Sequence, residues 1–585
     1  MTKKIFKYII LLSAFLCFAL WITGCQKPKK PDQMQINFDS FLNDLFVEEV
    51  QSDTLSLNYS LVNPEKYGIE GKETTLGEYS VSHMYEGLYL SENYLKRLNS
   101  YEFSSLSTDQ QLTFNVLKGY LEQDLNLGNY LYYNECLGPS TGVQAQLPIL
   151  LAEYRFYDKE DIEQYIELLS CVYDYFEDIA QFEREKSKKG LFMNDAVADR
   201  ILDQCEAFIK SPEDNFLIGY FNEKIELFDG IADEERVKYK ELNKNAILNE
   251  IIPAYKMLID VLLELKGTGI NSAGLYNYPE GQAYYECLSN YKTGSNKSVE
   301  DMAIMLTDAI NDGIFKITKL SLSDDDLLDK YLSFTSFPIT DPEDILIDLK
   351  QDISTDFPAS VPVNCEIKYV HESLSDYLSP AMYLVPPMDN YLNNNIYING
   401  NDAKTLSMIY TTVAHEGYPG HLYQCVYFRN QNPSPIRNIM NFIGYDEGWA
   451  TYVELYSYHL AGIDENLADF LEANNIVILC MYARADIGIH YEGWSKADVV
   501  AYIMNFIQDE KIAEAIYDTL LEEPAIYLPY AIGYLEIMEL RETAENALGN
   551  KFNAKDFHQF LLNIGPAQFG VIDDYLAEWI EIQLQ

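Results

Sequence analysis

Apolar residues recur every three or four positions through much of this chain. In the segment 161–185, "DIEQYIELLSCVYDYFEDIAQFERE", they are Ile162, Tyr165, Ile166, Leu169, Val172, Phe176 and Ile179. Such positions share one face of an α-helix, whereas a half-buried strand would alternate apolar and polar residues. Ser298 and Ser495, each followed three positions later by an aspartate, have the pattern of helix N-caps. The periodicity therefore predicts a mainly α fold.

The helical pattern is interrupted between residues 361 and 400. "VPVNCEIKYV" and "NNIYING" are short, rich in β-branched and aromatic residues, and bounded by proline, asparagine and glycine. They predict a small β-sheet. On this change of pattern we divide the chain into a helical N-terminal region, 37–360, and a C-terminal region, 361–585, although the two can also form one continuous body. "PAMYLVPPMDN" and "NNIYING" are candidates for an edge strand to which an extended peptide could add.

The composition is that of a globular protein with a large core. Of the 585 residues, 48% are hydrophobic, and 42 basic against 91 acidic side chains give a formal net charge of −49. This charge argues against nucleic acid and anionic membrane surfaces as electrostatic partners. The acidity serves either solubility or a preference for cationic substrates or metal ions.

The first residues have the layout of a bacterial secretion signal. Lysines precede the apolar run "YIILLSAFLCFALWI", which is shorter than the roughly 18 to 20 residues of a membrane span and is followed by "TGC". "ITGC" resembles the lipobox of bacterial lipoproteins, which implies a signal peptide over 1–24 and a lipid on Cys25. Residues 25–36 then form a polar tether, and we expect an extracytoplasmic protein anchored by lipid to the cell membrane. Ordinary secretion and a plain N-terminal anchor are the alternatives.

One short stretch contains the clearest candidate for a metal-binding motif. "TTVAHEGYPGHLYQ" places His415, Glu416 and His421 close together, with two residues more between the histidines than the zinc-binding HExxH motif has. In a regular helix, residues six apart point about 120° away from each other and lie about 9 Å apart along the axis, so these imidazoles could not share one ion. The residues between them are of types that bend or break a helix, namely Gly417, Tyr418, Pro419 and Gly420. We therefore predict a bent helix whose two histidines meet at one metal.

A third ligand is available in the segment "YDEGWATYVELYSYHL". Glu447 can complete a site of two histidines and one carboxylate, a zinc ligand set that leaves a fourth position for water. Glu454 lies two helical turns after Glu447, so both carboxylates can share one helix face. Asp446 and Glu454 are candidates for orienting a ligand histidine by a hydrogen bond. The alternative is that these acidic side chains simply face solvent.

Several motifs together resemble a known bacterial family. "HEGYPGHLYQ", "DEGWATYVE", "RADIGIHYEGWS" and "FHQFLLNIG" occur in this order, and they resemble the family catalogued as domain of unknown function 885, which is grouped with the gluzincin zinc peptidases. The resemblance implies His415, His421 and Glu447 as ligands of one Zn2+ ion, with Glu416 as general base. It also implies that a gluzincin-like pair of helices carries the site beside the small sheet.

Other candidate residues follow from the same resemblance. Gluzincins often use a tyrosine or a histidine to stabilise the developing oxyanion, which makes Tyr530, in "YLPYAIGYLEIMELRE", and His490 candidates for an active-site role. Asp486 and His490 are four residues apart and predict a hydrogen-bonded pair on one helix face. For His490, a structural histidine with satisfied ring nitrogens is the alternative.

The expected function is peptide hydrolysis. Water polarised by zinc and deprotonated by Glu416 would attack a peptide carbonyl and release short peptides or amino acids. The ligand set and the expected extracytoplasmic location favour such a peptidase, and the sequence has no phosphate-binding loop of the GxxxxGK[ST] type. The alternatives are a non-catalytic lipoprotein that binds peptides and a structural envelope protein with a degenerate metal site.

Overall fold

The computed structural model describes residues 32–71, 73–370, 379–400 and 402–585. The predicted signal peptide, Cys25 and most of the predicted tether lie outside these residues. Helices dominate the described chain and a small sheet accompanies them, so the predicted mainly α fold is confirmed. Among the residues described, no helix is both long and apolar enough to cross a membrane.

The helices before the sheet follow the predicted periodicity. In the long helix that contains segment 161–185, the apolar face is buried at Ile162, Tyr165, Leu169 and Val172. The helices are α1 (Gln33–Val50), α2 (Thr54–Ser60), α3 (Val81–Leu98), α4 (Thr108–Gly128), α5 (Val143–Glu153), α6 (Lys159–Lys188), α7 (Asp195–Ile209), α8 (Phe216–Leu227), α9 (Asp233–Ala246), α10 (Ile252–Leu265), α11 (Gly281–Thr293), α12 (Val299–Ser323), α13 (Leu327–Ser333) and α14 (Pro342–Asp352). Ser298 caps α12 as predicted, since its side chain accepts a hydrogen bond from the third residue of the helix.

Three strands follow α14. β1 (Asn364–Tyr369), β2 (Ala381–Leu384) and β3 (Asn393–Ile398) form a sheet in the order β1-β3-β2, with β1 parallel and β2 antiparallel to β3. Ile396 and Ile398, two positions apart on the central strand, are both buried, which is the strand periodicity expected for one face on the core. The sheet predicted between residues 361 and 400 is therefore present, and β2 is one of its edges.

The helices after the sheet carry the quoted motifs. They are α15 (Ala403–Ser407), α16 (Tyr410–Glu416), α17 (His421–Asn430), α18 (Ile443–Ser457), α19 (Glu465–Ile487), α20 (Lys496–Ile503), α21 (Glu510–Glu522), α22 (Leu528–Leu548), α23 (Ala554–Ile564) and α24 (Phe569–Leu584). A short 3-10 turn, Pro435–Asn438, lies between α17 and α18. Ser495 caps α20 as predicted, by accepting a hydrogen bond from the Asp498 backbone N–H.

The hydrophobic cores do not divide the chain at residue 360. One core combines buried residues of α1 and α4 with residues between 327 and 580, and α1 also packs against the turn Pro435–Asn438. A second core lies mainly among α5 to α10, and a third joins α11 and α12 to α19–α22. The division at residue 360 stays a prediction, and the shared core favours one continuous body.

Two helices that carry candidate site residues cross closely. A Cβ atom on Gly533 of α22 would lie 2.1 Å from the carbonyl oxygen of Gly444 in α18, and one on Gly448 would lie 2.5 Å from the Gly533 carbonyl carbon. Only glycine fits such a contact, because any side chain would overlap the facing backbone. The crossing brings Tyr530, one turn earlier in α22, close to Glu447 in α18.

Candidate metal centre

A four-residue turn separates the two histidines of the motif. α16 ends at Glu416 and α17 begins at His421. Gly420 lies directly against the end of α16, where a Cβ atom would be 1.8 Å from the His415 carbonyl oxygen. The Gly420 N–H donates to the Ala414 carbonyl at 3.0 Å and fixes this approach. The predicted bend is thus a complete break, and the two histidines sit on two separate helices.

Trp449 of α18 holds this turn. Its indole N–H donates to the Pro419 carbonyl at 2.9 Å, and the ring is fully buried. A buried indole N–H without a partner would be costly, so the bond favours one docking of α18 on the turn. Trp449 stands two residues after Glu447. The same contact therefore sets the third candidate ligand against the two histidines.

The structure brings His415, His421 and Glu447 together. Nε2 of His415 and Nε2 of His421 lie 3.4 Å and 3.5 Å from Oε2 of Glu447, and the two imidazole centroids are 4.8 Å apart. A tetrahedral zinc ion with bonds of about 2.0–2.2 Å separates its ligand atoms by about 3.3–3.6 Å. The distances from both histidines to the carboxylate therefore match what one such ion requires.

The electrostatics of the cluster also fit a cation. Oε2 of Glu447 is buried and makes no hydrogen bond within the described structure. Burial opposes protonation of both imidazoles, but the neighbouring Glu447 carboxylate raises the pKa of His415 and of His421 above the ordinary value. Burial likewise opposes ionisation of Glu447, and the two histidines lower the pKa of its carboxyl. A buried carboxylate oxygen without a hydrogen bond, facing two imidazole nitrogens, is a donor set suited to Zn2+.

Glu454 orients one of the histidines. Its Oε2 lies 3.0 Å from Nδ1 of His415. A carboxylate there favours the tautomer with the proton on Nδ1 and leaves Nε2, the atom that faces Glu447, available to an ion. Asp446 has a different partner from the one predicted, because its Oδ1 accepts a hydrogen bond from the Gln424 amide at 2.7 Å. Burial raises the pKa of Asp446 to about 6.

Glu416 is held by the edge strand β2. Its Oε2 accepts a hydrogen bond from the backbone N–H of Tyr383 at 2.8 Å. Its charge raises the pKa of His415, His421 and Tyr530, against the effect of burial at the two histidines and together with it at Tyr530, so the carboxylate lies near all three. The hydrogen bond joins the sheet to the cluster. It also occupies a backbone N–H of the strand that we predicted to receive an extended peptide.

Tyr530 reaches the same cluster from α22. Its ring is nearly parallel to that of His415, with 22° between the planes and 6.5 Å between the centroids. Burial, followed by the charges of Glu447 and Glu416, raises the pKa of the Tyr530 hydroxyl above the ordinary value of a tyrosine. The phenol therefore stays protonated and can donate a hydrogen bond, as the predicted oxyanion role requires.

His490 and Asp486 have other partners than each other. Nδ1 of His490 accepts a hydrogen bond from the Leu275 N–H at 3.2 Å, and Nε2 donates to the Leu520 carbonyl at 2.9 Å. Asp486 accepts from the Ala525 N–H at 3.0 Å. The predicted bond between the two side chains is not formed. His490 matches its structural alternative, because both ring nitrogens are already satisfied inside the core.

A second group of potential ligand side chains lies near the start of α19. It consists of His459, Asp469 and Glu472. Nζ of Lys316 lies 2.8 Å from the Asp469 carboxylate and 2.6 Å from that of Glu472. A lysine thus already supplies positive charge to both carboxylates, and among the described residues neither of them has a buried oxygen without a hydrogen bond, as Glu447 has.

Three residues that shape the site were not among the sequence predictions. They are Tyr383, Gln424 and Trp449. Trp449 stands inside the quoted segment "DEGWATYVE", and Gln424 lies one helical turn after His421, so both positions carried a spacing signal. Tyr383 acts through its backbone N–H, which a side-chain motif cannot reveal.

The fold is shared with two solved structures. A protein from Colwellia psychrerythraea described as a "putative lipoprotein" has a TM-score of 0.81 at 17% sequence identity, with 94% of this chain and 99% of that chain covered. A "putative lipoprotein of unknown function" from Shewanella oneidensis has a TM-score of 0.64 at 16% identity, with 92% and 99% covered. At such identities the likeness shows the fold alone.

The sequence itself matches a family model. The model is that of a "bacterial protein of unknown function (DUF885)", and the match extends over residues 64–312 and 334–575. No curated protein matches the chain. The family match spans most of the sequence and includes the histidine motif, α18 and the α18–α22 crossing. The chain therefore belongs to the bacterial DUF885 family.

Proposed function

We propose that this protein is a zinc-dependent peptidase that hydrolyses peptide bonds with metal-activated water. The observation that carries the proposal is the convergence of Nε2 of His415 and Nε2 of His421 on Oε2 of Glu447, at 3.4 Å and 3.5 Å. Two histidines and one glutamate are the protein ligands of thermolysin-type zinc sites, which keep a fourth position open.

Neighbouring residues have complementary roles in this chemistry. Zinc bound by the three ligands would supply Lewis-acid polarisation of a carbonyl and a lower pKa for water. Glu416, held at one oxygen by the Tyr383 N–H, accepts the proton of the attacking water and passes it to the leaving amine. Tyr530 donates a hydrogen bond to the oxygen that gains charge during the attack. Glu454 keeps His415 in the tautomer whose Nε2 is free.

The proposed location is extracytoplasmic, where a lipid on Cys25 would anchor the protein to the cell membrane. The N-terminal sequence has the layout of a signal peptide that ends in a lipobox-like "ITGC". Two proteins of this fold are described as putative lipoproteins. A peptidase at that address would act on peptides in the cell envelope or outside the cell.

The test uses purified full-length protein. Metal analysis should find about one zinc ion per chain, and a peptide library followed by mass spectrometry should reveal cleavage products. Glu416→Gln should keep the metal and lose hydrolysis by about 10²- to 10⁴-fold, because the general base is removed while the ligands remain. His421→Ala should lose the metal. Glu465→Gln, which alters an exposed carboxylate paired with His459, is the matched control and should keep both properties.

Contrary results would separate the alternatives. Metal-free protein whose weak activity survives Glu416→Gln would overturn the proposal. Peptide binding without turnover, insensitive to chelation, would identify a peptide-binding lipoprotein. A loss of thermal stability on chelation, with no hydrolysis to lose, would identify a structural metal site.

A further inference from the structure

A cavity of about 340 Å3 adjoins the candidate metal centre on the side of α17. Its wall includes His421, Glu447, Arg429, Arg437, Asn438 and Asn441. A volume of this order is typical of a ligand-binding pocket. Because two of the candidate zinc ligands belong to the wall, a group bound here would lie next to a peptide bond held at the metal.

Arg437 is an unusual member of this wall. The residue is only 3% exposed, and its Nη2 donates to the backbone carbonyls of Ile564 at 2.9 Å and Pro566 at 2.8 Å. The Phe428 ring lies 5.4 Å from the guanidinium carbon. Nε of Arg437 is buried and has no hydrogen-bond partner within the described structure. The guanidinium is thus positioned by neutral groups, and its buried Nε–H is left without a partner.

Arg429 resembles Arg437 in its partners. Its Nη1 donates to the Pro386 carbonyl at 2.6 Å. In the part of the chain that the structure describes, neither arginine forms a salt bridge with a carboxylate. Asp446, the remaining carboxylate of the wall, bonds instead to the Gln424 amide.

Such arginines are unexpected in a chain with a formal net charge of −49. Most arginines of this protein form a salt bridge to a carboxylate in the described structure, whereas Arg155 also donates to backbone carbonyls without one. The salt-bridged arginines are Arg97, Arg184, Arg200, Arg236, Arg484 and Arg541. A buried charge without a counter-charge is costly, and the cost is offset when an anionic ligand supplies the missing partner. Guanidinium groups bind carboxylates with strong, directional hydrogen bonds.

We propose that the cavity beside the metal centre is a subsite for a carboxylate of the substrate, bound by Arg429 and Arg437. The proposal rests on the proposed peptidase function and narrows it to peptides with a carboxylate adjoining the cleaved bond. That carboxylate is either the C-terminus of the peptide or the side chain of an aspartate or glutamate. Asn438 and Asn441 offer amide donors on the same wall.

Binding is tested without turnover. Full-length Glu416→Gln protein is titrated by calorimetry with two pairs of N-acetylated pentapeptides. The members of the first pair differ only in a C-terminal carboxylate or amide, and those of the second pair differ only in an internal glutamate or glutamine. We expect at least one carboxylate peptide to bind about tenfold or more tightly than its neutral partner, because charge-assisted hydrogen bonds are lost in the latter. Arg429→Gln in the same background should remove the difference. Arg97→Gln, which alters an exposed salt bridge to Asp44, should keep it.

Each outcome decides the proposal. A preference confined to the first pair assigns the subsite to the C-terminal carboxylate, and one confined to the second assigns it to an acidic side chain. Three results would overturn the subsite. They are equal binding of the two peptides in both pairs, no binding of any peptide, and a preference for the carboxylate peptide that persists in Arg429→Gln. The test avoids substituting the buried Arg437, whose loss threatens folding. Carboxylate-dependent binding without hydrolysis by the unsubstituted protein would retain the subsite and reject the peptidase.

Discussion

At the level of single residues, the hydrogen bond between Glu454 and His415 is the contact that would prepare a histidine for the proposed metal binding. Glu454→Gln keeps the size of the side chain but removes the negative charge beside Nδ1. We expect zinc affinity to fall by about 10- to 100-fold, because the ring loses the partner that fixes its tautomer and raises its basicity. Competition with a zinc chelator of known affinity measures this change.

Glu465→Gln provides the control for that substitution. Glu465 lies 3.0 Å from Nδ1 of His459, which is the same distance as in the Glu454 pair, but its side chain is 76% exposed. Zinc affinity at His415, His421 and Glu447 should therefore be unchanged. Equal losses in both variants would show that general charge, and not the orientation of His415, controls the affinity.

His558 gives a prediction about pH that does not involve the metal. Its Nδ1 donates to the Asp356 carbonyl at 2.6 Å, and its Nε2 accepts from the Tyr452 hydroxyl at 2.8 Å. Burial lowers the pKa of His558 to about 4. Between about pH 6.5 and pH 4 the unfolded chain binds a proton at this ring and the folded chain does not, so acidification favours unfolding. Relative to His558→Gln, the free energy of unfolding of the natural protein should fall by about 3 kcal/mol over this range.

Denaturant titrations at several pH values measure the difference. His459→Gln is the contrasting variant, because the hydrogen bond to Glu472 outweighs burial and raises the pKa of His459. For a raised pKa, the stabilisation is lost as the pH rises through the folded value, so the slope against pH has the opposite sign. The same slope for both variants would contradict the assignment of a neutral His558.

Functional residues were predictable from the sequence where they lie close together in one short motif. His415, Glu416 and His421 are close in sequence, and a motif could single them out. For His490, the bonding partners come from Leu275 and Leu520, so nothing in the local spacing showed that both ring nitrogens would be used. Arg429 and Arg437 carry no motif either. We infer a role in ligand binding for them because no carboxylate of the described structure forms a salt bridge with either one. Such an absence is visible only in the folded chain.

At the scale of helices, the glycine contact between α18 and α22 positions Tyr530 against Glu447. In Gly533→Ala the new Cβ atom would lie 2.1 Å from the Gly444 carbonyl oxygen, so the helices must separate. We expect a loss of at least about 1–3 kcal/mol of stability, the usual cost of overpacking. Hydrolysis should fall as well, because the Tyr530 hydroxyl moves away from the cluster. Thermal unfolding and peptide turnover measure the two effects.

Gly219→Ala separates the close contact from the general effect of replacing glycine. Gly219 lies in α8, and a Cβ atom there would meet nothing within 4 Å. Alanine is the better helix former by about 0.5–1 kcal/mol, so this variant should be as stable as the natural protein or more so. A destabilised Gly219→Ala, or an unaffected Gly533→Ala, would be evidence against the crossing.

Element types were more predictable than element boundaries in the motif. Glycine and proline between the histidines indicated that a regular helix could not continue, since neither residue supports its interior. Whether the helix bends or breaks depends on tertiary contacts such as the Trp449 indole on the Pro419 carbonyl, and these join residues 30 positions apart. The sheet was foreseen from its composition. Its role in holding Glu416 through a backbone N–H was not, because backbone groups leave no residue-specific signal.

At the scale of the whole molecule, the helical pattern and the apolar content were enough to predict a large, mainly α protein. The pairing of distant segments was not predictable from the pattern. α1, at the start of the described chain, shares its core with residues between 327 and 580 and packs against Pro435–Asn438, the turn that carries Arg437. The change of sequence pattern near residue 360 coincides with the sheet, and one cluster of buried residues includes side chains from both sides of it, which favours one continuous body.

Leu42→Ala tests this continuity. Leu42 of α1 is 2% exposed and lines, with Asn432 and Pro435, the junction between α1 and the turn before α18. Its truncation should cost about 2–5 kcal/mol, because a cavity replaces packed methyl groups. If one core unites the chain, hydrogen–deuterium exchange in residues 410–457 should accelerate together with exchange in α1.

Ile36→Ala, on the same helix but 47% exposed, is the control and should change neither the stability nor the exchange. Faster exchange confined to α1 would instead show that the N-terminal helix unfolds independently and that the site region is a separate domain.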